Sequence, residues 1–220
     1  AHYNLGNTLQ ELGQLEEAVK SYEQVLVIKP EYTEAHNNLG NTLKELNQLD
    51  AAVTSYEQAL TIKPDYAEAH SNLGITLKEL GQLEEAVKSY EQALAIKPDY
   101  AEAYYNLGNT LNELGQLEKA VKCYEQALAI KPDYAEAHYN LGNTLKELGQ
   151  LDAAVKSYEQ ALAIKPDYAE AHSNLGVTLN DLGQLDAAVK SYEQALAIKP
   201  DYAEAHSNLG VTLNDLGQLV

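Results

Sequence analysis

The chain has 220 residues, of which 45% are hydrophobic, enough to bury a core and to exclude wholesale disorder. Its formal net charge of −18 comes from 33 acidic residues against 15 basic ones, all Lys, and such a surface repels the phosphate backbone of nucleic acids. No run of 18 consecutive apolar residues occurs, so a membrane-spanning helix is excluded.

The elements recur at a fixed interval. Pro30, Pro64, Pro98, Pro132, Pro166 and Pro200 are each 34 residues apart, as are Tyr22, Tyr56, Tyr90, Tyr124, Tyr158 and Tyr192. The Asn-Leu-Gly triplet keeps the same spacing from Asn4-Leu5-Gly6 to Asn208-Leu209-Gly210. In chain order the repeats are a shortened 1–32, then 33–66, 67–100, 101–134, 135–168 and 169–202, and a half repeat 203–220. No linker, low-complexity tract or composition shift interrupts them, so one array is expected over 1–220. The absence of Met points to a fragment or a processed product.

Each repeat reads as two helices. In 67–100 the first carries Ala69, Leu73, Gly74, Leu77 and Leu80, spaced by three and four along one face. Such first helices are expected to open on an Asp-x-x-Glu capping box, as in Asp99-Tyr100-Ala101-Glu102. Gly81 is expected to end the helix in the left-handed conformation, which Asn47 also supplies at the equivalent place. The second helix carries Leu83, Ala86, Val87, Tyr90, Ala93 and Leu94 and stops at Lys97-Pro98, because proline disfavours helical geometry in the preceding residue. Lys97 is expected in the last turn, against the negative end of the helix dipole. Neither helix can bury its stripe alone, so each repeat needs its neighbours.

The 34-residue period with Leu73-Gly74, Gly81, Ala86, Tyr90, Ala93 and Pro98 resembles the tetratricopeptide repeat (TPR) over the whole chain. The resemblance implies an all-α fold, a right-handed α-α superhelix (a TPR solenoid) of helix-turn-helix repeats, with first helices lining a concave groove. In the column where the family carries Trp stand His2, His36, His70, His138, His172 and His206, with Tyr104 in the fourth repeat. Ala67–Gly74 and Gly81–Ala86 are also similar to the TPR arm of O-GlcNAc transferases and to bacterial TPR proteins, which implies groove asparagines that hold peptide backbones.

No catalytic or metal constellation emerges, and no cofactor is expected. The histidines recur one repeat apart, and packed helix axes lie roughly 8–10 Å from each other, too far for neighbouring columns to converge on one zinc ion. They read as half-covered aromatic fillers. Cys123 stands in a serine column (Ser89, Ser157) without a nucleophile motif, and as a lone cysteine is compatible with a reducing compartment; the cytoplasm is favoured without being fixed. Glu84-Glu85 suit the positive end of a second helix.

The informative surface is the other face of the first helix, where Glu68, Ser71, Asn72, Ile75, Lys78 and Glu79 share a side; in the family's architecture it lines the groove. One column is Asn throughout: Asn4, Asn38, Asn72, Asn106, Asn140, Asn174 and Asn208. A carboxamide row can pair with the N–H and C=O groups of an extended peptide, or it can bond neighbouring helices. Nearby columns vary together: Ser71, Ser173 and Ser207 precede Ile75, Val177 and Val211 by four residues, whereas Tyr3, Asn37, Tyr105 and Tyr139 precede Asn7, Asn41, Asn109 and Asn143. The expected groove therefore holds the Asn row with Tyr3, Tyr105, Tyr139, Ile75, Val177, Asn109, Asn143, Lys78 and Lys146. Replacing Asn72, Asn106 and Asn140 by Ala is expected to weaken binding with helicity and melting unchanged.

The expected function is a non-enzymatic interaction scaffold for an extended peptide segment of a protein partner, neutral or basic in charge. Two alternatives stay open: the substrate-recruiting arm of a larger glycosyltransferase, or a self-assembling or engineered consensus-like array. Residues 203–220 leave Leu209, Leu213 and Leu216 without a second helix, so this edge is expected to contact a neighbouring molecule or to fray.

Overall fold

The computed structural model describes residues 1–217, so the last three residues of the half repeat 203–220 lie outside the described part. The chain divides into two compact units, Ala1–Thr110 and Leu111–Val220, the division falling inside α7. All elements among the described residues are helices. They run α1 (His2–Glu11), α2 (Leu15–Ile28), α3 (Thr33–Glu45), α4 (Leu49–Ile62), α5 (Ala67–Glu79), α6 (Leu83–Ile96) and α7 (Ala101–Glu113), then α8 (Leu117–Ile130), α9 (Ala135–Glu147), α10 (Leu151–Ile164), α11 (Ala169–Asp181), α12 (Leu185–Ile198) and α13 (Ala203–Asp215). The fold is an all-α solenoid of helix-turn-helix repeats.

Odd-numbered helices are first helices and even-numbered ones second helices. The turn inside each repeat closes as a Schellman motif: the Gly81 N–H bonds Lys78 O at 2.9 Å and the Gln82 N–H bonds Leu77 O at 2.9 Å. Gly81 has φ +75° and Asn47 φ +58°, the left-handed values expected at both. Second helices stop at an extended Lys before Pro; Lys97 has φ −128° and ψ 87°.

Two local expectations are corrected. The N-cap of a first helix is a tyrosine, for example Tyr66 or Tyr168, and its side chain makes no capping hydrogen bond, so the aspartate one residue earlier forms no capping box. Nor does Lys97 sit in the last helical turn. It follows the helix, with Nζ 4.4 Å from the centre of the Tyr100 ring and 3.7 Å from Oε1 of Glu68. All six Lys-Pro-Asp/Glu-Tyr turns repeat this cation–π contact, which fixes the Tyr ring on its own turn.

The core lies between the two helices of each repeat. Tyr90 is fully buried, and a Cβ added to Gly74 would lie 2.7 Å from its Cε1; the same pairing joins Gly40 to Tyr56, Gly142 to Tyr158 and Gly176 to Tyr192. Burying such a ring contributes roughly 2–3 kcal/mol, and the missing Cβ is what admits it. Ala69, Ala86 and Ala93 are fully buried around it.

Within the N-terminal unit α2 packs on α3 and α4 on α5, and the first helices α1, α3 and α5 also meet one another. The C-terminal unit repeats this arrangement with α9, α11 and α13. Among the described residues of either unit, the backbones of successive first helices approach more closely than those of successive second helices. At α13 the pattern stops: Leu209 and Leu213 are half-buried, where Leu175 and Leu179 of α11 are buried, while Leu216 is half-buried like Leu182.

Candidate functional site

The first-helix face is where the Asn column runs. Asn38, Asn72, Asn106, Asn140, Asn174 and Asn208 are half-buried, and Asn4 is exposed. Half-burial follows from the packing of adjacent first helices, which covers one edge of each carboxamide. Asn38 Nδ2 donates to the Tyr3 hydroxyl and to Asn7 Oδ1 of the preceding repeat, both at 3.1 Å. Asn174 does the same, to the Tyr139 hydroxyl at 3.0 Å and Asn143 Oδ1 at 2.9 Å. Asn72 Nδ2 reaches Asn37 Oδ1 at 3.2 Å. Melting is therefore not indifferent to this column: replacing Asn72 by Ala removes a bond between repeats.

The second partner of the network is the core tyrosine. Hydroxyls of Tyr22, Tyr56 and Tyr158 donate to Asn7, Asn41 and Asn143 at 2.7–2.8 Å. Asn143, expected to face a ligand, thus also satisfies a buried phenol. This explains the coupled columns better than contact along one helix. Tyr139 and Asn143 are joint acceptors for one carboxamide of the next repeat, so they vary as a pair. Where Ile75 or Val177 replaces the Asn, Tyr90 and Tyr192 lack that acceptor, and the nearby Thr110 and Thr212 hydroxyls of the following first helix only partly offset the rise that burial causes in their pKa.

Tyr3 and Tyr139 are half-buried and each bridges two other rings. Tyr139 lies 6.1 Å from Tyr158 and 4.8 Å from Tyr168, and Tyr3 lies 6.1 Å from Tyr22 and 4.9 Å from Tyr32. Burial pushes the Tyr139 phenol above its ordinary range, and the carboxylates of Glu170 and Glu204 add to the effect. Both act on Tyr202 as well, which places negative charge along this face of the C-terminal unit. Tyr105, Ile75, Val177, Asn109, Lys78 and Lys146 are half-buried. Ser71 and Ser173, on the same stripe by spacing, are buried instead.

One cavity opens on this face, about 210 Å³ in volume, lined by Val177, Asn180, Asp181, Tyr192, Asn208, Val211 and Thr212. It brings two expected groove residues, Val177 and Asn208, to one place. A larger hollow of about 670 Å³ lies against His2, Lys20, Glu23, Gln24, Val27 and Ile28, away from the Asn column.

His36, His70, His138 and His172 are half-buried, as expected, and the histidines also act as tethers. Nε2 of His36, His70, His138, His172 and His206 sits 2.8–3.1 Å from the carbonyl oxygen of the proline six residues earlier. A carbonyl only accepts, so each ring donates and holds the preceding turn onto its first helix. Among the described residues no group of three or more His, Cys, Asp or Glu is placed to hold a metal ion, and no helix is long and apolar enough to cross a membrane. Sequence reasoning missed the Thr column. Thr42, Thr76, Thr110, Thr144, Thr178 and Thr212 are all at most 1% exposed, and each bonds the backbone carbonyl of the column Asn four residues earlier. The available signal was a Thr in every repeat, in a helix interior where its propensity is poor.

Comparison with known proteins agrees with this architecture. No curated protein matches the sequence. Among solved structures the chain is similar to YrrB, a TPR protein with an unusual peptide-binding site, at 25% identity over 86% of this chain and 97% of that one (TM-score 0.75). It is similar to MamA at 28% identity over 76% and 97% (TM-score 0.71). Its fold is also that of pilF from Pseudomonas aeruginosa, at 19% identity over 96% of each chain (TM-score 0.82). The TPR repeat family model matches residues 6–46, 40–81, 76–112, 108–149, 142–180 and 178–217. With glycine admitting tyrosine at Gly6, Gly40, Gly74, Gly142 and Gly176 and a polar first-helix face left over from packing, the chain belongs to the TPR repeat family and is a protein-interaction scaffold.

Proposed function

We propose that the chain holds an extended segment of a partner protein on the first-helix face, with the Asn column against the peptide backbone, and that it does so without catalysing a reaction. The observation that carries this reading is the cross-repeat hydrogen bonding of Asn38 and Asn174. Both N–H groups of each carboxamide are engaged, so the orientation is fixed in advance and Oδ1 is the atom that can accept a peptide N–H, at Asn38 beside the Asn37 Nδ2 donor already bonded to it at 3.3 Å. Preorganised acceptors lose little entropy on binding. The similarity to YrrB, a TPR protein with a peptide-binding site, supports the same class of ligand. A net charge of −18, with Glu68, Glu79 and Asp181 on the face, favours neutral or basic segments.

A peptide-array screen tests this, with Asn106→Ala and Asn208→Ala combined so that each compact unit loses one carboxamide. Each lost bond is worth about 1 kcal/mol, so bound spots should weaken roughly fivefold per substitution. Retention of the same spots at equal strength by a folded double variant overturns the reading.

A second reading is self-association through α13, favoured by the half-covered Leu209 and Leu213 and by the space at Gly210, where no atom of the described residues would meet a Cβ. Light scattering should then show mass rising with concentration, and Leu213→Lys should abolish the rise; a constant mass overturns it.

A further inference from the structure

The cavity on the C-terminal unit combines two features of the first-helix face that together point to one kind of ligand. Val177 and Val211 stand in a column that holds Asn7, Asn41, Asn109 and Asn143 elsewhere, and they are its only apolar residues in successive repeats. In the adjoining columns Lys146-Glu147 gives way to Asn180-Asp181 and then Asn214-Asp215, so a cation is lost while the carboxylate remains. Room, an apolar floor and uncompensated negative charge coincide there. Val177 is half-buried and Val211 is 56% exposed, the cavity measures about 210 Å³, and Asn180 Oδ1 is held by the Thr212 hydroxyl at 3.1 Å. Asp181 is close enough to the buried Tyr192 phenol to help raise it to about 12, secondary to burial, so the carboxylate acts on the cavity's interior. It ends α11, where the helix dipole disfavours a negative charge, so helix stability does not account for it.

We infer that this cavity takes one long basic side chain, Lys or Arg, of a bound segment. The methylene stem lies on Val177 and Val211, the cation meets Asp181, and the carboxamide oxygen of Asn208 accepts a further hydrogen bond from it. Long basic side chains bury apolar stems while presenting a charged head, which is the pattern this lining matches. The assignment rests on the groove-binding reading and names the side chain that the groove selects.

The test uses the full chain with labelled valine methyls and four capped pentapeptides, Ser-Gly-X-Gly-Ser, where X is Lys, Arg, norleucine or Glu. The Lys and Arg peptides should shift the Val177 and Val211 methyl signals. An exposed ion pair is worth up to about 1 kcal/mol, so norleucine should bind about fivefold more weakly, and Asp181→Asn should weaken the basic peptides to the same extent. Glu should give no shift at these methyls. Val177→Asn, which restores the residue common in other repeats, should lose the response with the fold intact. Equal binding by norleucine, indifference to Asp181→Asn, or no shift at these valines with any peptide overturns the assignment. Failure here, with the array screen still sensitive to Asn106 and Asn208, removes only the pocket; failure of that screen removes the groove reading itself.

Discussion

Alanine at Gly142 should destabilise the protein by about 1–3 kcal/mol, whereas alanine at Gly210, in the same column, should leave it unchanged or up to about 1 kcal/mol more stable. The two sites share their local sequence, Ser/Tyr-Asn-Leu-Gly-Val/Asn-Thr-Leu, and differ in what lies opposite. At Gly142 an added Cβ would stand 2.7 Å from Cε1 and 2.8 Å from Cδ1 of Tyr158, a ring with no solvent exposure and therefore nowhere to move. At Gly210 no atom of the described residues lies within 4 Å, so among them the methyl group meets no neighbour and only the helix propensity of Ala over Gly remains. Thermal melting followed by circular dichroism distinguishes the signs, since each kcal/mol moves Tm by about 2–4 °C in a chain of this size. A stabilised Gly142→Ala variant would mean that the Gly–Tyr contact does not set the spacing of the two helices in a repeat.

The second large effect is alkaline unfolding. Burial pushes Tyr22 and Tyr192 from the ordinary 10.0 up to about 12, with smaller contributions from Glu11 and Glu45 at Tyr22 and from Asp181 at Tyr192. Tyr56, Tyr90 and Tyr158 are raised by the same cause. A raised phenol pKa means that above pH 10 the folded chain keeps protons that the unfolded chain releases. The stability these groups contribute is thus complete below pH 10 and is lost as pH climbs from 10 towards 12 and beyond. Each phenol that is ionised only when unfolded adds a slope of about 1.4 kcal/mol per pH unit, and several act together. Melting curves should be flat with respect to these groups up to pH 10 and fall steeply above it, with phenolate absorbance appearing together with loss of helix. Tyr158→Phe should be about 1 kcal/mol less stable at neutral pH, where it lacks the bond to Asn143, and should close that gap above pH 10. Phenolate absorbance rising well before helix is lost would contradict the burial of these rings.

Amino-acid order alone determined the helix pairs, their ends and the identity of the packing residues. It could do so because those features are local: a left-handed turn needs Gly81 or Asn47, a helix cannot run into Pro98, and a stripe spaced by three and four fixes the buried face. It misplaced the start of the first helices and the role of Lys97, since the ring of Tyr100 competes for that ammonium and the aspartate falls one residue outside the N-cap. The hydrogen bonds that join these columns from one repeat to the next come only from stacking. Asn143, Tyr139 and Asn174 are 31 and 35 residues apart along the chain, and no periodicity within one helix shows that a single carboxamide joins the other two. Ser173 is buried although its spacing shares the Asn stripe, because a helix wheel does not record which edge the next repeat covers. The open space at Gly210 likewise depends on an opposing ring, which tertiary contact supplies and local sequence does not.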